Sequence, residues 1–109
     1  MILYDNETNV IKIVAKDTGD FVISLTGYEL AEGDIVYFTV NDEVEKENPL
    51  IQKVITDFVD GKAIVKLTSQ DTNLPVGDYL YDVEVDTADG RVDTIIRPKK
   101  FKILGGVKF

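Results

Sequence analysis

Residues 71–85 read DTNLPVGDYLYDVEV, a polar turn that runs into a strand. Asp71, Thr72 and Asn73 carry short side chains that hydrogen-bond nearby backbone and favour a bend over a regular element. From Tyr79 onward the residues alternate, so that Tyr79, Tyr81, Val83 and Val85 share one face and Leu80, Asp82, Glu84 and Asp86 the other. Leu74 is placed to plug a core, Gly77 to permit the turn, and Tyr79 to send its hydroxyl back to the backbone just upstream. The stretch predicts a corner where the chain crosses between two packed sheets.

Outward from this corner, turn signals recur at short intervals. Residues 79–86 and 91–97 flank Thr87, Ala88, Asp89 and Gly90, which predicts a β-hairpin. Upstream, residues 50–59 and 62–68 flank Asp60 and Gly61, and an Asp-Gly pair between strand-like runs predicts a second hairpin, with Ala63, Val65 and Leu67 on one face. Residues 10–16 (VIKIVAK) alternate with Ile11, Ile13 and Ala15 on one side, and residues 20–25 with Phe21, Ile23 and Leu25. The sequence allows these two runs either to pair with each other or to enter opposite sheets. Residues 27–34 form a connection, and residues 35–40 (IVYFTV) a strand rich in β-branched and aromatic side chains. Residues 41–49 (NDEVEKENP) read as an exposed acidic loop, a natural contact surface. Residues 69–74 are compatible with one short helical turn. Pro98 is expected to interrupt the last part, leaving residues 101–104 as a short edge strand with alternating lysines.

Together these signals predict an all-β protein: one domain over residues 1–109, an immunoglobulin-like antiparallel β-sandwich of about seven or eight strands. In that fold a tyrosine near the start of a late strand pins the connection between sheets, which is the role assigned to Tyr79. Tyr81 stands where antibody domains place a cysteine, and the chain has no tryptophan for their usual core position, so it is not an antibody-type domain.

Composition narrows the function. Cysteine and histidine are both absent, which removes thiol catalysis, thiolate or imidazole metal ligation, and any serine or cysteine triad. A net charge of -8 argues against a nucleic-acid footprint. No apolar run approaches the roughly 20 residues of a membrane helix, and the N-terminus has no basic region ahead of an apolar core, so neither a membrane partner nor a signal peptide is expected. The expected address is the cytoplasm or an assembly built there.

Three features are candidate sites. Asp82, Glu84 and Asp86 place three acids on one strand face, with Asp89 and Asp93 nearby. Acids two apart on a strand lie about 7 Å from each other and do not converge as calcium requires, so the expectation is a solvated face balanced by Arg91 and Arg97 across the hairpin. Residues 97–109 hold five bases (Arg97, Lys99, Lys100, Lys102 and Lys108) and no acid, against all 20 acids in residues 1–96. This basic end could meet the acidic face of an identical neighbour, or its lysines could guard an edge strand. Tyr4, Tyr28, Tyr37, Phe38, Phe58 and Phe109 read as core or edge packing, with Tyr28 alone in a connection. No catalytic, cofactor-binding or metal-ligating residue is assigned.

The order of short motifs resembles the N-terminal immunoglobulin-like domain of phage baseplate upper proteins. It runs FTV at Phe38, Thr39 and Val40, a lysine-bearing strand at Lys53, DT at Asp71, and L-x-x-G-x-Y-x-YDV from Leu74 through Val83. DG at Asp89, TII at Thr94 and FKI at Phe101 complete it. The resemblance implies a non-enzymatic tail or baseplate component of a phage or prophage, assembled in the bacterial cytoplasm, whose partners are other phage structural proteins or itself. It supplies no catalytic residues and no cofactor. The baseplate proteins carry further host-facing modules, so receptor binding by this chain alone is not expected. The alternative is a stand-alone immunoglobulin-like module that binds a cell-surface carbohydrate or protein.

Overall fold

A computed structural model describes residues 2–5, 7–42 and 48–106. Eight strands follow one another: β1 (Ile2–Tyr4), β2 (Ile11–Val14), β3 (Gly19–Ile23), β4 (Ile35–Asn41), β5 (Ile51–Ile55), β6 (Ala63–Leu67), β7 (Gly77–Asp86) and β8 (Val92–Leu104). Six form one sheet in the order β1-β2-β8-β7-β4-β5, and β3 with β6 form a second. There is no helix among the described residues; residues 69–72 make a single hydrogen-bonded turn, with the Thr72 amide donating to the Thr68 carbonyl at 3.2 Å.

Alternation decides what is buried. Val36, Phe38 and Val40 of β4, Tyr81, Val83 and Val85 of β7, and Ile11 and Ile13 of β2 all face inward. Phe21 and Ile23 of β3, with Ala63, Val65 and Leu67 of β6, meet them from the smaller sheet. The aromatic rings interlock across the gap: Phe21 lies 6.1 Å from Phe38 and 6.3 Å from Tyr81, while Phe38 and Tyr81 are 5.5 Å apart. Two facing sheets around one core make a β-sandwich, as the turn spacing predicts.

Residues 10–16 and 20–25 enter opposite sheets, which resolves the choice the sequence leaves open. Residues 79–86 and 91–97 form the expected hairpin, with Asp86 opposite Val92.

Three expectations are corrected. The chain reverses tightly at Asp60 and Gly61, with φ of 52° and 73° and a Val59–Lys62 bridge, but β5 and β6 do not pair. β5 joins β4 and β6 joins β3, so the turn reverses direction at a crossing between sheets instead of closing a hairpin. The sandwich is also not wholly antiparallel, since β2 runs parallel to β8 with Ile11 beside Phe101 and Ile13 beside Ile103. Finally, Pro98 does not end a strand. It falls in β8 where the ladder to β7 shifts register, so its missing N–H takes nothing from a regular pairing. Residues 101–104 are therefore flanked by β2 and β7 and form no edge; the open edge lies earlier, along residues 92–100.

The corner has the expected lock and one more. The Tyr79 hydroxyl donates to the Pro75 carbonyl at 2.6 Å. Thr68 and Asp71 bond reciprocally, the Thr68 amide donating to Asp71 Oδ2 at 2.8 Å and the Asp71 amide to Thr68 Oγ1 at 3.2 Å. Thr72 is fully buried, and its hydroxyl reaches beyond the local turn to donate to the Asp17 carbonyl at 2.7 Å. Tyr81, also buried, donates to the Asn9 carbonyl at 2.5 Å and ties β7 to the connection between β1 and β2.

Tyr79→Phe removes one hydrogen bond to a carbonyl and is expected to lower stability by about 1 kcal/mol, read as a fall in Tm of roughly 4–8 °C for a domain near this size; an unchanged Tm refutes the lock. Gly61→Ala is expected to cost about 1–2 kcal/mol in a denaturant titration, because an L side chain is strained at that dihedral. Its Cβ would also stand 2.8 Å from Glu29 Cβ.

Candidate functional site

Two surfaces stand out, one at the side of the sandwich and one on the outer face of the larger sheet. The side surface follows from incomplete pairing. β3 has β6 as its neighbour on one side, and β2 covers β8 at Phe101–Leu104 alone. Between the uncovered side of β3 and the first half of β8 lies an open cleft of about 560 Å³, walled by Tyr4, Phe21, Ile23, Leu25, Ile95 and Ile96. The register shifts between β7 and β8 insert extra residues into β8, which is why the consecutive Ile95 and Ile96 are both half-buried against the core. Val22 stands on the cleft's rim, 53% exposed.

The outer face carries charge in two blocks. On β7, Asp82, Glu84 and Asp86 lie in a row, opposite Thr39, Tyr37 and Ile35 of β4. They are half-buried, which differs from the solvated strip expected. Burial pushes the Asp82 carboxyl above its usual range; burial, then the neighbouring Asp86, pushes up Glu84. Asp86 Oδ1 is buried with no hydrogen-bond partner. Arg91 does not balance this row, because it pairs with Asp93 at 3.1 Å on the exposed hairpin end.

Towards the other end of the same face, Lys12 of β2 stands beside Lys102 of β8, and Lys100 lies two residues along. With Leu3, Tyr4, Asp5, Thr8 and Val10 they line a shallow hollow of about 410 Å³, so one acid stands among these bases. The basic end expected from the sequence thus splits: Lys100 and Lys102 belong to this face, whereas Lys108 falls outside the described residues, as do Phe109 and residues 43–47 of the acidic loop.

Asp34 is an organising residue that the sequence pattern does not reveal. It is 2% exposed, and its Oδ2 accepts from the Tyr28 hydroxyl at 2.8 Å and the Ala31 amide at 3.0 Å. Its Oδ1 accepts from the Ala88 amide at 3.0 Å, so one carboxylate joins the connection before β4 to the β7–β8 turn. The Ala31 amide does most to hold this carboxyl below its usual range, against the effect of burial. Asp71 is held low as well. Burial opposes ionisation there, but the Lys53 ammonium at 2.7 Å and the Thr68 donors outweigh it.

The other aromatic candidates divide by position. Phe38 is core, Phe58 packs at its margin, Tyr37 is half-buried on the outer face, and Tyr4 meets Phe21 edge-to-face at 5.0 Å. Among the described residues no three carboxylates converge as a metal-binding group. No family model, curated protein or solved structure matches the chain.

The two carboxylate sets predict opposite pH behaviour. A group whose pKa is lowered by folding stabilises the fold above its unfolded value and loses that contribution as pH falls. Asp34→Asn is therefore expected to be less stable than the parent at pH 7, with the gap narrowing on acidification. A group with a raised pKa favours the fold at low pH and loses that contribution as pH rises. Asp82→Asn is expected to match or exceed the parent at pH 7, with any gain vanishing near pH 3; urea titrations at both pH values check both variants, and a destabilised Asp82→Asn at pH 7 refutes the reading of the acidic row.

Proposed function

We infer that this chain is a non-enzymatic structural protein of a phage or prophage tail, an immunoglobulin-like domain that joins tail or baseplate components through protein contacts. The strand arrangement supports the immunoglobulin-like part of the reading. A β3–β6 pair faces a sheet in which β4, β7 and β8 are neighbours, as the B–E and C–F–G strands are in that fold, and the tyrosine lock sits at the start of β7. The motifs that carry the resemblance to baseplate upper proteins fall on β4, β5, the corner, β7, the β7–β8 turn and β8.

The observation that carries the functional reading is the side cleft. Its walls mix the apolar side chains of Phe21, Ile23, Leu25, Ile95 and Ile96 with the polar Ser24 and Thr26, and it is bordered by strand runs that the described residues leave unpaired on that side. Such a border offers main-chain donors and acceptors in a row, which an extended protein segment satisfies by adding a strand. The partner that fits is a structural protein presenting a strand with apolar side chains on alternate positions.

Particles purified from an induced lysogen are expected to contain the chain in the tail fraction by mass spectrometry. Its absence from particles would overturn the reading, as would retention of the pure protein on a glycan array. Val22→Arg, placed on the rim, is expected to fold with a Tm within a few degrees of the parent yet to drop out of the particles; normal incorporation would remove the cleft from the account.

A further inference from the structure

The outer face of the six-stranded sheet gathers an acidic row at one end and three lysines at the other, where Asp78 lies opposite Lys102 and Asp5 shares a hollow with Lys12. Cross-strand neighbours put Lys12, Lys102 and Lys100 together near the start of β7, where Asp78 and Leu80 lie opposite Lys102 and Lys100. Asp82, Glu84 and Asp86 continue along β7 away from them. At 3.3 Å per residue the centres of the two blocks lie on the order of 20 Å apart, beyond the Debye length of about 10 Å at 0.1 M salt. Lys100, the diagonal neighbour of Asp82 across β7 and β8, is the one base of the three that comes within that length of the acidic row. The basic end keeps an excess of positive charge, three lysines against Asp5 and Asp78, and the acidic row is partly desolvated, with an unpartnered oxygen on Asp86.

A face of this kind is complementary to itself. A two-fold axis lying in the contact plane and crossing the strands between the blocks would set the bases of each copy on the acids of the other, with strands running in opposite senses. Leu3, Val54 and Val92 are exposed apolar side chains in strands of this sheet, at 53%, 55% and 61%, and Leu3, paired with Lys12, shares the latter's face. Six strands spaced about 4.8 Å apart and some 25 Å long give roughly 600 Å² per copy, near the roughly 800 Å² that specific interfaces bury on each side.

We propose that a second copy of this chain docks on this face, with Lys12, Lys100 and Lys102 of each copy against Asp82, Glu84 and Asp86 of the other. The proposal deepens the reading of a chain that acts through protein contacts and is tested separately from incorporation into particles. Each copy carries a net charge of -8, so the copies repel at long range. Salt near 0.1 M screens that repulsion while close ion pairs in the contact survive, and 1 M salt, with a Debye length of about 3 Å, weakens the pairs themselves.

Sedimentation equilibrium of the purified chain checks the pairing. The parent is expected to dimerise in 0.1 M salt and to weaken at least tenfold in 1 M salt. The double variants Lys100→Glu with Lys102→Glu, and Asp82→Lys with Glu84→Lys, are each expected to lose at least tenfold in self-affinity. An equimolar mixture of the two is expected to recover a heterodimer. The milder pair Asp82→Asn with Glu84→Gln keeps the test open should the lysine variant misfold by circular dichroism, and it is expected to weaken the dimer as well. A parent that stays monomeric at 0.1 M salt and hundreds of micromolar overturns the proposal. So does a dimer indifferent to these changes, which would leave contacts through another surface standing.

Discussion

The two-stranded sheet exists because Phe21 reaches across the sandwich. A ribbon of two short strands is marginal alone in water, and β3 with β6 has five paired positions to hold it. Phe21 lies among Tyr4, Phe38 and Tyr81, and its sheet also buries Ile23, Ala63, Val65 and Leu67. Burying side chains the size of Phe21, Ile23, Val65 and Leu67 stabilises by about 1.5–3 kcal/mol each, more than a typical neutral hydrogen bond at about 0.5–1.5 kcal/mol. The hydrogen bonds have a different task. Tyr79, Tyr81, Thr72 and Asp34 each bond to a backbone group outside their own strand, and so fix how the connections run once the core has closed.

Half-buried strands announce themselves in a sequence because every second residue must be apolar. That is why β2, β3, β4, β6 and β7 are legible, and why the corner at Leu74 and Tyr79 can be read before any coordinates. Partner choice is another matter. Asp60 and Gly61 encode a local reversal, but whether the flanking strands then pair depends on the residues between Ile55 and Val59, which carry β5 away into the other sheet. Pro98 misleads for a related reason, since a proline breaks a regular ladder but suits a bulge, and β8 carries the extra residue there against β7. β1 has three residues, too few for an alternation to show.

The candidate surfaces were legible in part. The acidic row on β7 follows from its period of two, and the excess of bases near the C-terminus follows from counting. Their relation does not, because it needs the parallel β2–β8 contact that brings Lys12 beside Lys102. The side cleft was not visible at all, since it arises from strand positions that go unpaired, and a missing partner leaves no mark on residue pattern. Asp34 looked like one more turn residue, and only its bond to Ala88, 54 positions away, sets it apart.

The β1–β2–β8 arrangement has a mechanical consequence. Ile2 pairs with Ile13 and Ile13 with Ile103, so the two outermost parts of the described chain leave the sheet at the same end, about 10 Å apart at the usual strand spacing. The molecule is 46 Å along its longest axis. Anything attached at both points therefore gains the short span and not the long one: the domain hangs to the side of such a connection like a pendant, instead of serving as a rod in series. A pull across the same two points would peel β1 from β2 one pairing at a time, and would reach the aromatic cluster last, through Tyr4 on Phe21.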